Sequence, residues 1–139
     1  MLNFPSPHMQ ARTWRTMSSL QRLSMTMIDL AEFKIYLDQV AEHERERSGS
    51  GGRTNFAVDV EGLVSQMQTI QNYVELLSER MEYVLPENTA GRQLALEAIS
   101  RSNTDWTTWD LAVLRALNRY LHLPQRHFQY MMIAFSTQD

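Results

Sequence analysis

The reading of the fold turns on Val60-Glu61-Gly62-Leu63-Val64-Ser65-Gln66-Met67-Gln68-Thr69-Ile70-Gln71-Asn72-Tyr73-Val74-Glu75-Leu76-Leu77-Ser78-Glu79-Arg80-Met81-Glu82-Tyr83-Val84. Its apolar residues Val60, Leu63, Met67, Ile70, Val74, Leu77, Met81 and Val84 follow one another at steps of 3, 4, 3, 4, 3, 4 and 3. Alternating threes and fours average 3.5 residues per turn, so all eight fall on one narrow line of a helix. The pattern predicts a helix capped at Asp59 and ending near Val84 or Leu85, because Pro86 disfavours helical geometry in the residue before it. A line of this kind is made to lie along other helices. We expect it to be a seam for a partner protein, with packing on the chain's own helices as the alternative.

Downstream, Glu87-Asn88-Thr89 supplies turn and capping groups. A helix with Leu94, Leu96, Ala98 and Ile99 is expected next, then a stop and restart at Ser102-Asn103-Thr104-Asp105. A third helix carries Trp106, Trp109, Leu111, Val113, Leu114, Leu117, Tyr120 and Leu121 on a broad apolar face. Pro124 suits a first helical position and is expected to open a last helix with Phe128, Met131, Met132 and Phe135.

Upstream lies Ser48-Gly49-Ser50-Gly51-Gly52, a flexible linker by composition. Before it, Asp29 to Arg47 reads as a helix that ends in the charged run Glu42 to Arg47. Leu23, Met25 and Met27 alternate with Ser24, Thr26 and Ile28, the period of a strand with one buried face. One strand needs partners to pair its backbone groups, and no second strand is evident. Residues 1–19 read as an irregular lead-in.

With 139 residues, 43% of them apolar, the chain fits one ordinary domain and can build a core. A formal charge of −3 argues against neutralising phosphate as the main task, although a local basic patch would survive that test. No cysteine is present, which excludes disulfides, thiolate metal sites and a cysteine nucleophile. No apolar run reaches the roughly 20 residues that cross a bilayer, and the N-terminus lacks a signal-like pattern, so a soluble, cytoplasmic protein is expected. Positive charge comes from twelve arginines and the single Lys34, a bias that suits bidentate pairing but also follows from codon usage.

Catalytic chemistry finds no foothold. His122 and His127 are five apart with Pro124 between them, a poor spacing for a metal pair on one helix face. No phosphate loop follows an apolar strand. Glu75, Glu79 and Glu82 read as solubilising charge, not an acid–base pair. Trp106 and Trp109 have no interleaved basic residues and read as core or interface anchors, and with Phe128 they are the candidate interface aromatics. No catalytic residue, cofactor or metal is expected.

Asn88-Thr89-Ala90-Gly91-Arg92, after a long helix ending Tyr83-Val84-Leu85, resembles the Asn-Thr-(apolar)-Gly-Arg signature of the F subunits of eukaryotic translation initiation factor three. Asp110 to Asn118 is similar to that family's Asp-Leu-Leu helix, and Gln125 to Met132 to its final helix. Arg15-Thr16-Met17 and the stretch from Leu23 to Ile28, followed by Asp29 and Glu32, resemble the closing strand of an MPN domain and its exit helix.

The resemblance runs in order from about Arg15 to Met132. It implies a mainly α chain, the helical C-terminal array of an MPN-type subunit, with one or a few β-strands near the N-terminus left from an α+β MPN domain. Residues 1–47 would close that domain, 48–56 would be the linker, and 57–139 would join a helical bundle with other subunits. The implied function is that of a non-catalytic scaffold subunit, partnered by MPN and helical-repeat subunits and indirectly by the small ribosomal subunit. Neither membrane nor direct sequence-specific nucleic-acid contact is expected. The equivalent subunits of the proteasome lid or the COP9 signalosome are the alternative. A metal-dependent deubiquitinase is disfavoured because the chain has no His-x-His.

Overall fold

Four helices carry the chain in its computed structural model, which describes residues 14–48, 55–85, 89–101 and 106–136. They are α1 (Ser19–Ser48), α2 (Asn55–Arg80), α3 (Thr89–Arg101) and α4 (Trp106–Ser136). Residues 14–16 add one helical turn ahead of α1. Helix α1 packs against all three others and α2 also packs against α4. One hydrophobic core runs through the bundle from Trp14 to Phe128. The chain is mainly α, and no helix among the described residues is long and apolar enough to cross a membrane.

The expected strand at Leu23 to Ile28 is instead the start of α1. Over six residues its apolar positions alternate, but the buried row Leu23, Met27, Leu30, Phe33, Leu37 and Val40 advances by 4, 3, 3, 4 and 3, which is helical. The helix is started by a capping box. Ser18 Oγ accepts from the Gln21 amide at 3.2 Å and Gln21 Oε1 accepts from the Ser18 amide at 2.8 Å, so two otherwise orphan donors are satisfied together. The side chains of Thr26, Asp29 and Glu32 are buried on the same helix. Polar residues inside the packed face broke the hydrophobic rhythm that would have announced the helix.

Helix α2 begins at Asn55, so Asp59 lies inside it and is not its cap. The C-terminal stop comes at Arg80, earlier than Pro86 would impose. Glu82 adopts a left-handed conformation with φ of 55°. Around it, the Tyr83 amide donates to Ser78 O at 2.8 Å and the Glu82 amide to Glu79 O at 3.2 Å. These are the paired bonds of a Schellman stop, a position that normally favours glycine. Beyond the stop, Tyr83 turns back and shares a 2.6 Å hydrogen bond with Ser24 of α1.

Helix α3 begins at Thr89, as the capping groups there imply. Its Gly91 sits directly against α1. A Cβ on that residue would lie 2.2 Å from Ile28 O, with the Ala31 Cβ and Glu32 N at 3.1 Å. Only a hydrogen in place of a side chain lets the two helices approach so closely. Helix α4 runs straight through Pro124 with no new helix starting there. An interior proline removes one backbone bond, at a cost of about 3 kcal/mol. Leu117, Tyr120 and Leu121 before it and Phe128 after it are all fully buried, and both halves are thereby held on one core.

Candidate functional site

The packing of α4 decides what its other side presents. Val113, Leu117, Tyr120, Leu121 and Phe128 point into the core, so Arg115, Arg119, His122 and Arg126 are left exposed at steps of 4, 3 and 4. The three arginines make a cationic line along the helix, with His122 between them. Tyr130 and Ile133, 72% and 58% exposed, extend the same side toward the C-terminal end.

Opposite this line stands the turn at residues 14–16, and its position depends on Arg22. The Arg22 Nε donates to Trp14 O at 2.8 Å and Nη2 to Arg15 O at 3.4 Å. Its guanidinium lies 5.6 Å from the centre of the Trp14 ring, within range of a cation–π contact. Nη1 is 3.2 Å from His127 Nε2; because guanidinium only donates, Nε2 accepts and the imidazole is neutral. Burial, and then the Arg22 charge, lower the His127 pKa below its ordinary 6.5. Trp14 itself is buried edge-on against His127 and Phe128, with ring centroids 5.5 and 5.8 Å away.

Between the turn and α4 opens a cleft of about 790 Å³, lined by Trp14, Arg15, Arg22, Arg119, His122, Leu123, Arg126, His127, Gln129, Tyr130 and Ile133. Every ionisable side chain in that lining apart from the Tyr130 phenol is an arginine or a histidine, and none is a carboxylate. Chain order explains the concentration. Residues 1–28 and 111–136 contain no Asp or Glu, yet hold Arg12, Arg15, Arg22, Arg115, Arg119 and Arg126. The fold sets described parts of these two stretches side by side. A net charge of −3 therefore conceals a one-sided basic surface.

No family model matches this sequence, and no curated protein or solved structure matches it either. The cleft's chemistry must be read from its own residues. Arginines present planar forks suited to phosphate or carboxylate oxygens. Among the described residues no group of three His, Cys, Asp or Glu side chains could hold a metal ion.

The residues singled out by sequence fall elsewhere. Val60, Leu63, Met67, Ile70, Val74 and Leu77 are buried in the chain's own core, with Met81 packed against its edge. The seam is thus engaged by α1 and α4, and these side chains are not open to a partner. Val84 is 88% exposed because the Schellman stop takes it off the helix line. Trp109 and Phe128, 2% and 0% exposed, are buried in the core; the Trp106 side chain lies outside the described residues, as do Asn88, the stop and restart at Ser102 to Asp105, and Gly49 to Gly52 of the Ser/Gly linker, whose Ser48 ends α1. Thr89 and Gly91 belong to α3, and Arg92 is exposed on it. His122 and His127 do share a site, but as cleft lining. The cationic line itself was legible as Arg115, Arg119, His122, Arg126, with the same threes and fours as the apolar seam.

A second polar cluster lies inside the bundle. Tyr120 Oη donates to Asp29 Oδ2 at 2.7 Å and Tyr36 Oη to Glu32 Oε2 at 2.6 Å, both buried. Burial pushes both phenols above their ordinary range and the neighbouring carboxylates add to it. Burial also raises Glu32, against the Tyr36 hydrogen bond and with help from Asp29. At the other end of α1, His43 Nδ1 lies 3.0 Å from both carboxylate oxygens of buried Asp110 on α4. Tyr120–Asp29 and His43–Asp110 fasten α1 to α4, whereas Tyr36–Glu32 lies within α1.

Proposed function

We propose that this chain is a non-catalytic binding module in which a four-helix frame presents an arginine-lined cleft to an anionic ligand. The observation that carries this reading is the cleft lining, which combines three arginines on opposite walls with a fourth held in place by backbone carbonyls, and has no carboxylate among them. Cations gathered on one face raise the local concentration of anions and speed their capture, whatever the overall charge. The frame contributes rigidity: Arg22 is already oriented before any ligand arrives, so little ordering cost falls on binding.

The test is retention on immobilised heparin, a generic polyanion. The full chain should bind and elute with salt, and Arg119→Ala/Arg126→Ala should elute at clearly lower salt with unchanged helicity by circular dichroism. Equal elution of the two would sink the reading.

A second reading follows the resemblance of Asn88 to Arg92 and the segments in order around it: a non-catalytic scaffold subunit of eukaryotic translation initiation factor three, acting on the small ribosomal subunit with other subunits, or the equivalent subunit of the proteasome lid or signalosome. Mainly helical architecture is compatible with it. The seam Val60 to Leu77 is engaged internally, so partners in this reading would meet exposed faces such as Leu94 and Leu96 on α3. Affinity purification of tagged protein checks it; absence of other initiation-factor subunits and of small ribosomal subunits would dismiss it.

A further inference from the structure

We infer that the anionic ligand of the cleft is a single-stranded nucleic acid bound without sequence preference, its phosphates along Arg126 and Arg119 and on to Arg115 one turn outside the lining, and a base against Tyr130. The inference rests on the anion-binding reading above and assigns the polymer. Three features carry it.

Geometry comes first. From Arg115 to Arg126 the cationic line spans eleven residues, about 16 Å at the helical rise of ~1.5 Å per residue. A stacked strand advances about 3.4 Å per nucleotide, so this line follows four to five nucleotides, the lower end of single-strand site sizes of roughly 4–16 nucleotides. A small anion would use one or two of these residues and leave the rest of the line without a purpose.

Stacking surface is the second feature. Trp14 is buried and cannot take a base. Tyr130 can, because its ring is 72% exposed and stands one turn beyond Arg126 on the same side of α4. Charge along a backbone track with an exposed aromatic beside it is the combination that holds single strands.

The third feature weighs against an acidic protein. Protein partners anchor apolar or aromatic side chains in desolvated pockets at the centre of an interface. Here six of the eleven lining residues are arginine or histidine, Trp14 is packed edge-on against Phe128, and the exposed Tyr130 and Ile133 lie toward the C-terminal end of α4.

The experiment is fluorescence anisotropy of labelled 12-nucleotide oligo(U) and oligo(dT) on the full chain between 50 and 200 mM salt, with a poly-glutamate peptide and anionic phosphatidylserine vesicles as competitors. Expected are binding of both oligonucleotides with similar affinity and a log–log salt slope near −2, the value for about three phosphates at −0.7 each. Arg119→Ala/Arg126→Ala should weaken binding at least tenfold and flatten the slope by about 1.4. Tyr130→Ala should weaken it about tenfold with the slope unchanged, and Tyr130→Phe should restore it. Circular dichroism and urea midpoints equal to those of the parent chain must accompany each loss; where Arg119→Ala/Arg126→Ala unfolds, Arg119→Gln/Arg126→Gln replaces it.

Retention on heparin without oligonucleotide binding would overturn this inference and leave the anion-binding reading standing. Tighter binding of poly-glutamate or of the vesicles would overturn it in favour of an acidic protein or a membrane surface. Failure with heparin and oligonucleotide alike would remove both readings.

Discussion

Helices α1 and α2 are of similar length and share one core, yet they are held in it by different physics. Among the described side chains, the buried face of α2 holds Val60, Leu63, Met67, Ile70, Val74 and Leu77 with Ser78 as its one polar member, and the Ser78 hydroxyl donates to Val74 O at 2.7 Å. Helix α1 buries Leu23, Met27, Leu30, Phe33, Leu37 and Val40 but also Thr26, Asp29, Glu32 and Glu44. The α2 contribution is area removed from water, which is non-directional and insensitive to pH. In α1 part of the contribution depends on phenol donors from Tyr120 and Tyr36 reaching specific carboxylates, so it is lost with the donor and varies with pH.

Substitutions at the two interfaces of α1 and α2 should separate these terms. The largest effect belongs to Ile70→Asp: a fully buried aliphatic becomes an unpaired carboxylate, and cooperative unfolding should vanish from a urea titration. Ile70→Ala, by comparison, should cost about 2–5 kcal/mol and be the same at pH 5 and pH 8. A stable, folded Ile70→Asp chain would mean that the seam is not core.

Gly91→Ala comes next. The added methyl meets backbone of α1 that cannot swing aside, so about 3 kcal/mol of destabilisation is expected. A loss under 1 kcal/mol would show that α3 can move off α1.

Tyr120→Phe should cost roughly 1–3 kcal/mol, because Asp29 would keep its burial and lose the phenol donor. The pH dependence should carry the same signature. Both phenols have folded pKa values above their unfolded one, so the unfolded chain releases protons first and stability must fall as pH rises past 10. Glu32, also raised, is at an advantage below pH 4.5 and loses it as pH climbs through its folded pKa. Glu32→Gln should therefore leave neutral-pH stability unchanged or higher and flatten the profile above pH 4.5. His127 is shifted the other way. Its contribution is complete above 6.5 and declines as pH falls below that value. Urea midpoints across pH 4–11 would check all of these signs, and a flat profile above pH 10 would contradict the α1–α4 tyrosine pairing.

The smallest effect lies at the end of α2. Glu82→Gly should stabilise by about 1 kcal/mol, since a left-handed residue with a Cβ is replaced by one without. A destabilisation there would show that the side chain contributes something beyond the turn.

Legibility in the sequence followed this division of physics. A seam that buries only apolar groups announces itself by spacing, and Val60 to Leu77 could be placed on one line of a helix without coordinates. What that line would face could not be read, because a buried stripe looks the same against a partner or against α1 and α4. Helix α1 does not show itself at Leu23 to Ile28 because its packed face includes Thr26, Asp29 and Glu32, and the burial of the two carboxylates makes sense only once Tyr120 and Tyr36 are known to meet them. Local chemistry still held a clue there, the Ser18 and Gln21 capping pair. Pro124 carried a strong local rule, and the core residues on either side of it overruled that rule.

By itself, then, the sequence determined a mainly helical chain with one long amphipathic seam and a helix start at Thr89, since those follow from spacing and local backbone preference. Only the tertiary structure decided that the seam closes on the chain itself, that Gly91 is a contact point between helices, and that arginines almost a hundred residues apart share one cleft. Contact between distant residues depends on which faces pack, and no single stretch of sequence contains that information.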